Sequence, residues 1–189
     1  MIPAAGTPDG VAARRLVVKE RFGAGSRGIG RDLTPEAAGA HACSLEDPVF
    51  QPYVSGPEIS IDGWSDKTGN VAGVVLRRRD RVTAGESQVT TTFRDARLEA
   101  DAARILKALH LCGPSVLQAF VVDGELQVIE CKPRFGGASM ATLAVGLNGL
   151  YWSLSEVLGD PAPTVFHRRC AAIRKVRRPT DRVIHDPDL

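Results

Sequence analysis

The chain has 189 residues with 43% hydrophobic positions, 19 Gly and 12 Pro, which supports one soluble globular domain or a compact two-lobed one. No run approaches the roughly 18 to 20 consecutive apolar residues of a membrane helix, and MIPAAGTPDG lacks a basic region followed by an apolar stretch, so a cytoplasmic protein is expected. The net charge of +2 hides a basic tail: residues 161–189 carry seven Lys and Arg against three Asp, and with no aromatic beyond Phe166 this composition argues against nucleic acid as a partner.

Residues 1–13 are rich in Gly, Ala and Pro and read as frayed. RRLVVKE (14–20) is a short β-type run leading into FGAGSRGIG (22–30), a loop with four glycines among nine residues. Thr34-Pro35-Glu36 opens a short helix to about His41, with an N-cap followed by proline at the first helical position. PVFQPYV (48–54) reads as a second strand. EISIDGWS (58–65) alternates as a half-buried strand does, and NVAGVVLRRR (70–79) follows the Lys67–Asn70 turn as its antiparallel partner. Between Arg94 and Leu111 the apolar residues Leu98, Ala102, Ile105 and Leu109 share one helical face. SVLQAFVV (115–122), the turn Asp123-Gly124 and LQVIECK (126–132) form a second hairpin. Residues 139–158 read as helix in two pieces, broken near Gly146 to Gly149. Cys43, Cys112, Cys131 and Cys170 are far apart and form no CxxC pair, so neither a zinc knuckle nor a disulfide framework is indicated.

Three segments carry chemistry. Lys19 ends a strand just before the glycine loop, where its ammonium and the loop N–H groups can hold a polyphosphate together. The lysine precedes the loop, unlike a Walker A motif, which ends in GK[ST]. An extended backbone over Gln51-Pro52-Tyr53-Val54 can read an adenine through its own C=O and N–H, and Glu58 can accept from both ribose hydroxyls. In the strand 126–132, a period of two places Val128, Glu130 and Lys132 on one face. A two-residue turn would pair Val122 with Glu125 and set Gln118 opposite Ile129. A three-residue loop would instead pair Gln118 with Glu130 and converge their oxygens on one hard cation such as Mg2+. Each motif alone also has a bland reading: a flexible turn, an exposed strand acid, an acid paired with a basic neighbour.

Taken in order, VVKERFGAGSRGIG, QPYVSGPEISIDGW, VLRRRDRVTAGES and SVLQAFVVDGELQVIECKPRFGGAS resemble successive signatures of ATP-grasp enzymes, especially the carbamoyl-phosphate synthetase large-subunit type. SGPE also resembles the ribose segment of D-alanine:D-alanine ligases. The resemblance spans about residues 15–160 and implies an α+β fold of two lobes whose antiparallel sheets clasp ATP. It implies a small lobe over residues 1–50 and a large lobe over 51–160, while the basic composition of 161–189 reads as a solvated or partner-facing extension. Lys19 then matches the phosphate lysine, and Gly23, Gly25, Ser26 and Gly28 lie in the mobile loop. Gln51 matches the side chain facing the adenine amino group, Tyr53 and Val54 supply backbone contacts, and Glu58 takes the ribose. Gln118 and Glu130 match Mg2+ ligands, and Arg134 lies near the transferred phosphate. One or two of Arg77, Arg78, Arg79 and Arg81 face the phosphates. The alignment does not choose between them, and Arg79 stands as the candidate.

Such enzymes phosphorylate a carboxylate with ATP and let an amine attack the acylphosphate, relying on cations and a water-excluding loop. This implies a carboxylate-amine ligase. Two departures qualify the match. The family's ExN reads Glu130-Cys131-Lys132, and a charged lysine has no lone pair for a metal. Its ammonium either stands in for one magnesium, which makes Lys132 a candidate catalytic cation beside Arg134, or salt-bridges Glu130 and abolishes the site. Only 18 residues precede Lys19, so the usual first domain is expected from a partner chain or second protomer. The alternative is an ATP-binding pseudoenzyme with a regulatory or scaffold role.

Overall fold

The computed structural model describes residues 2–23, 27–83, 85–160 and 166–178. Strand β1 (Leu16–Glu20) pairs antiparallel with β2 (Gly30–Leu33) on one side and β3 (Pro48–Pro52) on the other. Helix α1 (Pro35–Ala42) covers this sheet, with Ala38 against Leu16, Val18 and Phe50. Its start follows the sequence signal: Ala37 N donates to Thr34 Oγ1 at 3.3 Å, and Pro35 takes the first helical position.

The N-terminal segment, expected to fray, is docked instead. Ala5 exchanges both backbone bonds with Phe50 at 2.9 Å, and Ile2 N donates to Val128 O at 3.3 Å. The apolar Ile2 side chain is buried, and the segment satisfies backbone groups of β3 that would otherwise lie unpaired. The boundary expected between residues 50 and 51 falls inside β3, because Gln51 and Pro52 remain in register with Val17 and Leu16.

The second sheet has the order β8-β7-β4-β5-β6-β9. Its strands are β4 (Glu58–Ser65), β5 (Val71–Thr83), β6 (Glu86–Phe93), β7 (Gly113–Val122), β8 (Glu125–Lys132) and β9 (Arg174–Val176). Helix α2 (Ala96–Ala108) packs on one face, placing Leu98, Ala102 and Leu106 among Ile59, Ile61, Leu76, Leu117 and Ala119. The helix ends before Leu109, and His110 adopts φ 51°, so Leu106 takes the buried position that the sequence pattern gave to Leu109. On the opposite face, Trp64 and Val75 meet Val145, Leu147 and Trp152. Val145 and Leu147 lie in the turn between α3 (Met140–Ala144) and α4 (Gly149–Leu158), and Trp152 lies in α4. Trp64 Nε1 donates to Ser153 Oγ at 3.0 Å, and the two indoles meet edge to face.

Two features of this sheet differ from the sequence expectation. Residues 166–178 are not a solvated extension: Arg174–Val176 pairs with Val89–Thr91, while Phe166 and Ile173 pack against the Trp64 cluster. β6 would otherwise present an unpaired edge, and its cover supplies the missing ladder. The second difference is the register of the β7–β8 hairpin. The connection is the two-residue turn, with Asp123 at φ 51° and Gly124 at φ 75°, and Val122 pairs with Glu125. Gln118 nevertheless faces Glu130, because the register shifts by one residue between Gln118 and Ala119, leaving Ile129 as a bulge. The bulge sends Val128 to the α2 side and Glu130 and Lys132 to the other, so the three do not share a face.

Candidate functional site

The face of the larger sheet away from α2 carries a continuous polar row. Alternation places Glu58, Ser60 and Asp62 of β4 there, with Arg77 and Arg79 of β5, Gln118 of β7, and Glu130 and Lys132 of β8. Arg79 Nη1 donates to Glu58 Oε1 at 2.5 Å, and Gln118 Nε2 donates to the same oxygen at 2.8 Å. Gln118 Oε1 in turn accepts from Lys132 Nζ at 2.8 Å, and that ammonium lies 2.8 Å from Glu130 Oε1. The row therefore reads cation, anion, amide, cation, anion. The Arg79 side chain is 9% exposed and Glu58 36%, so an accessible carboxylate is backed by a buried guanidinium that holds it in place.

The four arginines separate by face. Arg79 sits beside Glu58, with Nη2 donating to Gly85 O at 2.9 Å and Nε buried without a partner. Arg78 lies on the opposite face, over the Phe93 ring. Arg81 follows a register shift in β5 and is exposed. Arg77 is buried in an ion pair with Asp62. Asp62 also accepts from Ser139 Oγ, and Ser139 Oγ accepts from Gly136 N at 2.9 Å. This buried pair thus fixes the Arg134–Ser139 loop from beneath. From the C-terminal side, Lys175 Nζ and Arg177 Nη2 donate to Gly137 O at 3.2 and 3.4 Å. Burial, then the neighbouring Arg177 and Arg77 charges, hold the Lys175 ammonium below its ordinary pKa. Arg134 is exposed and donates to Phe135 O at 2.9 Å.

On the smaller sheet, Lys19 is half-buried on β1 and forms no ion pair among the described residues. Gly23 is exposed, Gly25 and Ser26 lie outside the described residues, and Gly28 adopts φ 64°. The Gly28 carbonyl accepts from His41 Nε2 at 2.9 Å, which ties the stem of the glycine loop to α1. Gln51 Nε2 donates to Ile2 O at 3.3 Å, which ties one end of its amide to the N-terminal segment. Tyr53 N donates to Arg15 O at 2.8 Å, leaving the Tyr53 carbonyl and Val54 N–H without partners among the described residues.

The donor set does not fit a divalent ion held between Gln118 and Glu130. Their facing oxygens already share the Lys132 ammonium, and among the described residues no group of three or more His, Cys, Asp and Glu gathers. A hollow lined by Arg97, Asp101, Arg104, Ile105 and Leu126 opens on the α2 side and does not adjoin the polar row. No helix among the described residues is long and apolar enough to cross a membrane.

A family model described as ATP-grasp in the biosynthetic pathway with Ter operon matches residues 44–179. The chain belongs to this ATP-grasp family. No curated protein matches it significantly. Among solved structures, the ATP-grasp chain is similar to phosphoribosylamine–glycine ligase from Thermotoga maritima, with 14% identity and a TM-score of 0.69 over 93% of this chain and 54% of that one. It is similar to biotin carboxylase from Campylobacter jejuni in a β-γ-ATP complex, with 16% identity and a TM-score of 0.68 over 89% and 45%. It is also similar to the biotin carboxylase domain dimer of Hydrogenobacter thermophilus 2-oxoglutarate carboxylase, which holds MgADP, ADP and bicarbonate, with 19% identity and a TM-score of 0.61 over 77% and 37%. Identities this low speak to the α+β ATP-grasp fold alone. The chain spans 37 to 54% of the length of these neighbours.

In the ATP-grasp chain, sequence reading found the outer members of the polar row and missed its foundations. Asp62 lies two and four residues beyond Ser60 and Glu58 on one strand face, a period-two signal that was available. Ser139, Lys175 and Arg177 converge on one short loop from distant parts of the chain, which no local pattern reports. His41 carries no signal beyond its place in α1.

Proposed function

We propose that this chain is the nucleotide-binding portion of an ATP-dependent carboxylate-amine ligase that forms an acylphosphate. A carboxylate oxygen attacks the γ-phosphorus and ADP leaves; an amine then attacks the acyl carbon and inorganic phosphate leaves. The observation that supports the reading is the row from Arg79 through Glu58 and Gln118 to Lys132 and Glu130, an accessible carboxylate and an ammonium on one sheet face such as a ribose and a phosphate would call for. Glu58 would accept from the ribose hydroxyls, while the Tyr53 carbonyl and Val54 N–H would meet the adenine. Lys19, Lys132 and Arg134 would neutralise the phosphates, with Lys175 and Arg177 holding the Gly137 loop beside them. Magnesium would accompany the nucleotide on its own phosphates, lowering the charge that the protein has to meet.

The carboxylate and amine substrates would be selected by a partner chain or second protomer. This follows the larger size of the structural neighbours, of which the chain spans about half or less. A second reading, nucleotide binding without ligation, draws on the same Lys132 contact with Glu130. Calorimetry with ATP and Mg2+ tests the shared core of both. One site is expected, weakened about tenfold or more by Glu58→Ala or Lys19→Met. No heat of binding from folded protein would overturn both readings. ADP release that depends on added carboxylate and amine would separate ligase from binding subunit.

A further inference from the structure

We propose that Lys132 is a tethered cation that occupies the position of one protein-held divalent ion, so that this site grips nucleotide phosphates without a metal of its own. The inference rests on the nucleotide-binding reading and concerns how the charge is met. The ammonium lies 2.8 Å from Gln118 Oε1 and 2.8 Å from Glu130 Oε1, a pair of oxygens brought face to face by the Ile129 bulge. An ammonium has three N–H donors and no acceptor, so these two contacts leave one donor for a phosphate oxygen.

The surroundings fix this arrangement. Gln118 cannot turn its oxygen elsewhere without losing a bond, because Nε2 donates to Glu58, itself held by Arg79. The amide therefore presents oxygen toward Lys132 and N–H toward Glu58. A metal between Gln118 and Glu130 would have to displace a covalently attached ammonium whose effective concentration is set by the strand, and would meet one carboxylate where a hard divalent ion prefers several oxygens. The Lys132 side chain is 36% exposed and that of Glu130 44%, so the ammonium is both held and reachable.

The test uses two probes on the full chain, ADP and Mn2+. In calorimetry, ADP affinity of the parent protein should differ by no more than about threefold between EDTA and excess Mg2+. Lys132→Asn should lose about tenfold or more in EDTA and recover it with Mg2+. By electron paramagnetic resonance without nucleotide, the parent should leave Mn2+ free in solution, and Lys132→Asn should gain one bound ion that Glu130→Gln in the same background removes. ADP binding by the parent that collapses in EDTA, or stoichiometric Mn2+ binding by the parent that depends on Glu130, overturns the proposal. If ADP binds under neither condition, the nucleotide-binding reading fails, and the Mn2+ arm still decides whether Lys132 holds the metal position.

Discussion

Removing one side of the Asp62–Arg77 pair exposes what supports the Arg134–Ser139 loop. In Asp62→Ala, the Arg77 guanidinium, 2% exposed as a residue, keeps one side-chain contact, to Thr90 Oγ1 at 3.5 Å. Breaking a buried pair in this way costs about 3–5 kcal/mol, because a charge remains in the interior without its counter-ion. The Ser139 hydroxyl loses its acceptor as well, adding about 1 kcal/mol. A loss of about 4–6 kcal/mol is a large share of the roughly 5–15 kcal/mol that holds a domain folded. With a urea slope of about 2–3 kcal/mol per molar, the midpoint should fall by about 1.3–3 M. Asp62→Ala combined with Arg77→Met removes both charges and fills the space, and should recover most of that fall. The assay is urea unfolding followed by circular dichroism at constant slope. A single variant as stable as the parent, or a double variant less stable than Asp62→Ala, would refute the reasoning.

Three further outcomes follow from local environments. Burial and the adjacent Glu130 charge raise the Cys131 thiol pKa, while Cys43, Cys112 and Cys170 are exposed, so a thiol reagent at about pH 8 should titrate three cysteines quickly and Cys131 slowly. The Thr68 hydroxyl, followed by backbone N–H groups of Asn70 and Thr68, lowers the Asp66 pKa. Its stabilisation is present above the unfolded value of about 4 and lost as pH falls through the lowered folded value. Acid unfolding of Asp66→Ala should accordingly show a shallower pH dependence in that window. A β-carbon at Gly63 would come 2.2 Å from Leu106 Cδ1, so Gly63→Ala should cost about 1–3 kcal/mol in thermal or urea unfolding through overpacking against α2.

The elements with a strong period were legible before any coordinates: α1 through its Thr34-Pro35 start, α2 through its apolar stripe, and the two hairpins. β6 was not, because its inward residues Thr90 and Thr92 are fully buried yet polar, and their pattern does not read as a core strand. β9 escaped for a related reason: a basic segment looks solvated until its backbone is seen to complete a ladder. At the candidate site, residue types pointed to Glu58, Gln118, Glu130 and Lys132. Whether the last three meet depended on a single bulged residue, and sequence spacing offered only turn length as the explanation. Gln51 adds a contact that spacing could not report, since its amide nitrogen bonds the backbone of Ile2, far away in sequence.

The pairing of β9 with β6 has a consequence for the order in which the protein is made. Synthesis delivers the N-terminal side first, so β4 to β8 and the row from Arg79 to Glu130 can assemble while residues 166–178 are still being added. During that interval β6 is the bare rim of a five-stranded sheet, open to the matching rim of another nascent copy. Lys175 and Arg177 reach Gly137 only when this rim is closed, so the loop that they steady is the last part of the site to settle. A chain interrupted before Arg174 would keep its sheet and its carboxylates while lacking these two cations, and would be sticky for the same reason that it was incomplete.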